Sequence, residues 1–311
     1  PCRLFRDLRI IMSNYIESPD NQRFKAWLKL LRHKYREKQQ EYLIEGSNIL
    51  RDALGANAKI KELLICYSDE KGYELSSYIS QELAEDLQKT GAKIFFLNEI
   101  LFDKLQDTEN GRDIIAVVKM QGFETLGDAR SFHEKCTLEK SGFANEHAGD
   151  ACNVQSDRGN NIIVLDRLQD PGNIGTIIRT CDGAGFMAVI VIKGTADVYS
   201  AKVIRSAAGS LFRVPIIRLD SNEELLRLVR DNGLSLVATG FDTDSYYFDE
   251  KLDSDLALVI GNEGGGVSEE IFDAADKIVK IPMCGEIDSL NAAVSAGIIM
   301  YESMRQRKQA E

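Results

Sequence analysis

From Asn160 onward the chain alternates short, almost wholly apolar runs with longer stretches of helical pattern, and this alternation limits the fold more than any other feature. The runs are Ile162 to Leu165, Ala188 to Ile192, Val214 to Leu219, Leu234 to Ala238, Ala257 to Ile260 and Ile278 to Ile281. A strand with one face in water alternates polar and apolar residues. A strand that is apolar throughout is buried on both faces, as in a parallel sheet with helices on either side. The intervening helical stretches are Ile174 to Asp182, Lys202 to Ala208, Glu223 to Arg230, Glu269 to Ala275 and Leu290 to about Arg305. The C-terminal half therefore predicts a doubly wound α/β domain, a fold that places its ligand beyond the carboxyl ends of the strands.

The N-terminal half reads as a smaller α/β domain. Strands are expected at Tyr42 to Gly46, Ile60 to Tyr67, Lys93 to Leu97 and Ile114 to Met120. Helices are expected from Ser47, as cap, to Leu54, from Leu75 to Lys89 with a stop at Gly91, and near Glu99 to Gln106. With 311 residues the chain is long enough for two such domains. Ahead of them a basic helix is expected, carrying Arg23, Lys25, Lys29, Arg32, Lys34, Arg36 and Lys38, with Trp27 and Tyr35 interspersed and Glu37 as its single acid. That is the pattern of an RNA footprint, with Arg23, Lys25, Arg32, Lys34 and Arg36 as the contacts, although a solvated helix face gives the same pattern. The net charge of −11 excludes a protein that coats nucleic acid indiscriminately.

Pro1 is not an initiator and Met12 offers a start, so the first eleven residues read as an upstream extension; by domain, residues 1–22 are expected to be an N-terminal extension and 23–120 the RNA substrate-binding domain. From Gln121 to Gly159 the sequence is polar and lacks a sustained period, which predicts a linker or mobile insertion before the domain over 160–311. His133-x-x-Cys136 and His147-x4-Cys152 within it can be written as a zinc site, but the spacing lacks the tight Cys-x-x-Cys pairs of regular zinc modules, and no metal is expected. The scattered cysteines form no disulfide framework, and the apolar runs are too short to cross a bilayer. A cytoplasmic protein without a membrane segment is the expectation.

Three clusters lie at or just after predicted strands. The first runs from Leu165 to Thr180, with a Pro171-Gly172 turn, Asn173 as a helix cap and Arg179 in the helix. The second is Leu258-Val-Ile-Gly261-Asn-Glu263-Gly-Gly-Gly266-Val-Ser268, where glycines permit close approach to a ligand or only a sharp turn. It lacks the Lys-Ser/Thr ending of a Walker loop, and Glu263 would repel a phosphate but not a cationic sulfonium. The third runs from Ile281 to Gly297, with Ser289 as cap of the last helix and small residues that let another segment pack closely. A nicotinamide site is disfavoured, because Asp170-Pro171-Gly172-Asn173 stands where a Gly-x-Gly-x-x-Gly turn belongs.

Taken together and in this order, the three clusters resemble the SpoU/TrmH family of RNA 2′-O-methyltransferases in the SPOUT superfamily. Arg32-His-Lys-Tyr-Arg36 through Tyr42-Leu-Ile-Glu-Gly46, followed by Ala53-Leu54 and Ile60-Lys-Glu-Leu63, resembles that family's N-terminal RNA-binding domain. The resemblance implies a C-terminal SPOUT domain with a deep trefoil knot, a topology that ordinary connection rules disfavour, and a homodimer whose two copies complete one active site. It implies S-adenosylmethionine as methyl donor and an RNA substrate, with ribosomal RNA expected over transfer RNA because a separate binding domain precedes the catalytic one.

Carried over residue by residue, the resemblance places Arg179 at the family's catalytic arginine. A free guanidinium stays protonated, so Arg179 either has its protonation altered by RNA and the site, or positions phosphate and stabilises a developing alkoxide. Asn173 is expected to hold Arg179 or the ribose, Glu263 to orient an arginine, and Ser289 and Asn291 to lie near substrate and cofactor. The family's cofactor contacts carry over onto Gly261, Ile281 and Leu290, and Thr239 and Gly240, which end the preceding strand, are expected to line the same pocket. Methyl transfer from a sulfonium releases a neutral thioether and requires no metal. A non-catalytic RNA-binding protein on the same fold is the alternative.

Overall fold

The computed structural model describes residues 14–67, 79–107, 114–140, 159–253, 255–285 and 289–310, and within them the chain forms two compact units. Residues up to Met120, together with Tyr199–Ile204, make the first, and Gln121–Val198 with Arg205 onward make the second.

In the first unit β1 (Tyr15–Ile16) precedes α1 (Gln22–Leu30) and α2 (His33–Gln39). The basic stretch is thus two helices rather than one. Arg32 is extended between them (φ −109°, ψ 130°), and Arg36 Nη1 donates to the Leu30 carbonyl at 2.7 Å, satisfying an acceptor that the end of α1 leaves open. In α1 the Asn21 side chain caps the Arg23 and Phe24 amides, and Phe24, Trp27 and Leu30 form its buried stripe. There follow β2 (Glu41–Glu45), α3 (Ser47–Gly55), β3 (Ile60–Tyr67), α4 (Gln81–Thr90), β4 (Lys93–Asn98), α5 (Glu99–Asp103) and β5 (Ile114–Lys119). Gly91 ends α4 in the left-handed conformation, as expected, while the predicted start at Leu75 lies outside the described residues. Ser47 does not cap α3: Gly46 occupies the cap position, and no side chain accepts there.

The first sheet has the order β1-β4-β3-β5-β2, with β5 antiparallel to β2 and β3 and the other pairs parallel. Because β1 pairs with β4 and Ile16 is buried in the core, the domain boundary expected after residue 22 falls too late.

The second unit contains α6 (Leu126–Lys140), β6 (Ile162–Asp166), α7 (Pro171–Gly183), β7 (Ala188–Ile192), the end of α8 (Ala201–Ala207), β8 (Ile216–Leu219), α9 (Asn222–Asp231), β9 (Ser235–Thr239), β10 (Leu256–Gly261), α10 (Glu269–Asp273), β11 (Lys277–Val279) and α11 (Ala292–Ala310). The strands form one parallel sheet in the order β11-β9-β10-β6-β7-β8. Every residue of β6 and β7 is buried, as a sheet covered on both faces demands.

The expected linker is corrected over its first part. Residues 126–140 are helical, and Leu126 and Ala129 are buried in the core beside Ile162 and Met187. Thr125 and Asp128 form reciprocal hydrogen bonds at the start of this helix, a capping pattern the sequence carries as Thr-x-x-Asp. The His133 ring nitrogen lies 2.7 Å from the Met187 carbonyl oxygen, so it is engaged in packing. The Cys136 side chain, His147 and Cys152 lie outside the described residues, and among those described no group of His, Cys, Asp and Glu could hold a metal. No described helix is long and apolar enough to cross a membrane.

Candidate active site

The carboxyl ends of β9, β10 and β6 carry Thr239, Gly261 and Asp166, with Gly261 paired directly to Asp166 in the sheet register. Asp166 is fully buried; its carboxylate accepts from the Ser268 amide at 2.6 Å and from Arg167 Nε at 2.8 Å. Asn262 Nδ2 donates to the Arg167 carbonyl at 2.8 Å. The chain after β6 is thereby fastened to the loop after β10.

That loop has its amides turned inward. Asn262 Oδ1 accepts from Gly264 and Gly265 at 2.9 and 3.0 Å, and the Gly266 amide donates to the Asn262 carbonyl at 2.9 Å. Amides so engaged do not form the anion nest of a phosphate loop. Of the two roles the glycines left open, the sharp turn explains Gly261: a Cβ there would collide with the backbone of Gly266 and Val267.

Three side chains from the three clusters form one hydrogen-bonded chain. Asn173 Nδ2 donates to Glu263 Oε1 at 3.0 Å, and Asn291 Nδ2 donates to Asn173 Oδ1 at 2.8 Å. Glu263 also accepts from the amides of Gln169 at 3.1 Å and Asp170 at 3.2 Å. Partial burial raises the Glu263 pKa. The hydrogen bonds from Asn173, Gln169, its own backbone and Asp170 outweigh that effect and hold the carboxyl below its usual range.

These contacts revise several expectations. Asn173 does not cap α7, since Asp170 does so by accepting from the Gly172 amide at 2.8 Å. Glu263 binds an asparagine and two backbone amides rather than an arginine. Ser289 is exposed and does not cap the last helix; α11 begins at Ala292, and Asn291 Oδ1 accepts from Ala293 and Val294 at 2.9 and 3.3 Å.

Arg179 and Asn173 share α7 but not a face. Six residues apart, they lie roughly 120° from each other around the axis and about 9 Å along it. Asn173 is buried with its amide engaged, while Arg179 is exposed and has no ion-pair partner among the described residues. Asn173 therefore does not hold Arg179 within one chain.

Among the expected cofactor contacts, Thr239 Oγ1 donates to the Val259 carbonyl at 3.0 Å, and the Gly240 amide donates to that of Val279 at 3.1 Å. A Cβ on Gly240 would meet Phe272 at 2.6 Å. Ile281 and Leu290 are half-buried, on either side of the undescribed residues 286–288. The ionised Glu263 carboxylate would repel a phosphate and is compatible with a cationic sulfonium.

The expected RNA contacts divide. Arg32 and Lys34 are exposed, with no ion-pair partner among the described residues. Lys25 pairs with Asp20 at 2.8 Å and Arg23 with Glu62 at 3.1 Å. Arg36 is buried, so its role is to join α1 and α2 rather than to touch RNA. Asp166, Arg167 and Asn262, which join the loop after β10 to the chain after β6, carry no sequence motif of their own. Their positions immediately around the ends of β6 and β10 were the available signal.

Residues 160–301 match the model of the SpoU rRNA Methylase family, and residues 21–116 match an MRM3-like substrate binding domain. Over 286 residues the chain is 32% identical to the 23S rRNA (guanosine(2553)-2'-O)-methyltransferase RlmP of Bacillus subtilis, covering 92% of this chain and 97% of that protein. Its fold is similar to that of an AdoMet-bound rRNA methyltransferase from Sinorhizobium meliloti, with a TM-score of 0.74, 27% identity and coverage of 94% and 97% of the two chains. It is also similar to the SpoU methyltransferase AviRb from Streptomyces viridochromogenes in complex with AdoMet, with a TM-score of 0.73, 29% identity and coverage of 93% and 98%. An N-terminal substrate-binding domain followed by a parallel sheet of this strand order is consistent with the knotted SPOUT architecture.

Proposed function

The chain belongs to the SpoU rRNA methylase family, and from that premise we propose how its residues divide the work of methylating ribosomal RNA. The enzyme transfers a methyl group from S-adenosylmethionine to a ribose 2′-hydroxyl of structured RNA. S-adenosylmethionine, when bound, would supply an already activated methyl group on its sulfonium. Thr239, Gly240, Gly261, Ile281 and Leu290 are the residues that would hold it.

The observation that carries this division is the Glu263–Asn173–Asn291 chain, which ties the loop after β10, the start of α7 and the start of α11 into one rigid element. Its function is positioning: it fixes the approach of the 2′-hydroxyl to the methyl group, on which in-line transfer depends. Ser289, exposed on the neighbouring segment, faces substrate. Arg179 binds the RNA phosphate and stabilises the charge that develops on the ribose oxygen as the hydroxyl proton passes to water, the methyl passes from sulfur to oxygen and the thioether leaves neutral.

Arg179 is exposed on a different face of α7 from the Asn173 chain of its own copy, so we assign it to the site of a second copy in a homodimer. Val294 and Tyr301, 50% and 47% exposed and seven residues apart on α11, supply apolar surface for that pairing. Ribosomal RNA is the preferred substrate because the relative from B. subtilis acts on 23S rRNA and a substrate-binding domain precedes the catalytic unit.

The test is transfer of labelled methyl from S-adenosylmethionine to total RNA from cells lacking this protein, followed by mapping of the label. A 2′-O-methyl ribose in ribosomal RNA is the expected product. Label confined to transfer RNA removes the ribosomal assignment, and cofactor binding without any transfer favours a non-catalytic RNA-binding role. Within the first unit, Arg32→Ala with Lys34→Ala should lower RNA affinity and reduce the slope of log affinity against log salt by about 1.4, roughly 0.7 for each phosphate contact to a single strand. Isothermal titration should find cofactor affinity unchanged in that double variant, and an unaltered salt slope would remove α2 from the RNA interface.

A further inference from the structure

At the edge of the first sheet, Asn14, Tyr15, Asn21, Arg23, Lys93 and Phe95 line an open cleft of about 440 Å³. Lys93 is exposed at the start of β4 and has no ion-pair partner among the described residues. Arg23 lines the same cleft, its guanidinium carbon 4.8 Å from the centre of the Phe95 ring. The cleft thus combines the exposed Lys93, the Arg23 guanidinium that also pairs with Glu62, two amides and the half-buried Tyr15 ring, with Phe95 buried beneath Arg23 as its floor. A nucleotide requires the same set: cations for phosphate, an amide for a base edge, and a ring for the base to rest against.

Beneath it lies a second arrangement. The register between β3 and β5 shifts between Ile60 and Glu62, and Glu62 is buried there. One Glu62 oxygen accepts from Arg23 Nη1 at 3.1 Å and the other from the Trp27 indole at 2.7 Å. The Trp27 ring also packs against Phe95, with centroids 5.3 Å apart. Arg23 is therefore shared between the cleft and a buried carboxylate that touches the chain's single tryptophan.

We propose that this cleft is a subsite for one single-stranded nucleotide of the RNA, with Lys93 and Arg23 on its phosphate and Asn14 on its base edge, and that occupancy is transmitted through Arg23 and Glu62 to Trp27. The proposal rests on the RNA methyltransferase reading and extends it to a capture site on the substrate-binding unit. RNA is favoured over an acidic peptide because the amides and Tyr15 offer contacts that a chain of carboxylates would leave unused.

The experiment titrates the full chain with a short single-stranded oligouridylate while following tryptophan emission. A saturable emission change is expected. Lys93→Ala should weaken binding by roughly tenfold and lower the salt slope by about 0.7, whereas Asn14→Ala should weaken it while leaving the slope unchanged. Equal affinity and slope in Lys93→Ala, or binding with no change in Trp27 emission, would overturn the proposal. So would the same emission change with inorganic phosphate at equal concentration, which marks a bare anion site, or displacement of the RNA by oligoglutamate, which marks an acidic protein partner. None of these readouts requires turnover, so failure of methyl transfer by the unaltered chain would count against the enzyme reading and not against the cleft.

Discussion

Arg179→Ala is expected to lower kcat for methyl transfer by roughly a hundredfold to a thousandfold, the loss typical when a donor to developing negative charge is removed. Cofactor affinity and thermal stability should be unchanged. The structure gives the reason for both halves of this expectation. Arg179 is exposed on α7 and has no ion-pair partner among the described residues, so its removal leaves no buried group unsatisfied. Alanine is also at least as good a helix former as arginine. The cost should therefore fall on the reaction. Arg179→Lys separates the two roles the chemistry allows. If the side chain acts by its positive charge on phosphate and alkoxide, lysine should restore part of the lost rate, though not the bidentate geometry of a guanidinium. Single-turnover rates on mapped RNA measure this directly. Retained turnover in the alanine variant would remove Arg179 from the reaction, and a parallel fall in melting temperature would make its role structural.

The second unit was legible from sequence to the extent that hydrophobic burial writes itself locally. Six apolar runs became six parallel strands, fully buried in β6 and β7 where the sheet is covered on both faces, while the edge strands β8 and β11 keep polar positions at Arg218 and Lys277. Gly261, the last residue of β10, was legible as a glycine at a strand end, but that it serves the sharp turn rather than ligand approach shows only in the structure, where a Cβ would meet the backbone of Gly266 and Val267. The hydrogen-bond partners were not legible. Asn173 meets Glu263 and Asn291 across 90 and 118 residues of sequence, and nothing near any of the three states which partner it will find. Ser289 looked like the helix cap because serine favours that position. Asn291 takes it, and through its side-chain nitrogen also reaches Asn173, which a serine two residues earlier does not do. The basic stretch misled for a related reason: its charge pattern does not encode a break at Arg32, which depends on Arg36 folding back onto the Leu30 carbonyl. Helix α6 was missed because its apolar contribution to the core is small, with Leu126 and Ala129 buried at its start. Its capping pair Thr125 and Asp128 was the better signal.

The Asn173 chain carries the second large effect. Glu263→Gln keeps the shape of the side chain but replaces one acceptor oxygen with a donor. Both oxygens are in use: Oε1 accepts from Asn173 and the Asp170 amide, and Oε2 accepts from the Gln169 amide. Whichever way the new amide turns, its NH2 faces at least one N–H, so a nearly isosteric change should lower kcat by roughly tenfold or more through misplacement of the turn before α7. The pH dependence distinguishes this explanation from a general loss of packing. Because the folded pKa of Glu263 is depressed, its carboxylate stabilises the fold fully above the ordinary glutamate range, and that contribution is lost as pH falls through the lowered folded value. The difference in melting temperature between the unaltered chain and Glu263→Gln should therefore be largest near neutral pH and shrink on acidification below that range. A difference that stays constant with pH would show that the charge of Glu263 does not matter. The loop after β10 would then owe its position to Asp166 and Asn262, whose bonds to Ser268 and Arg167 remain intact in the variant.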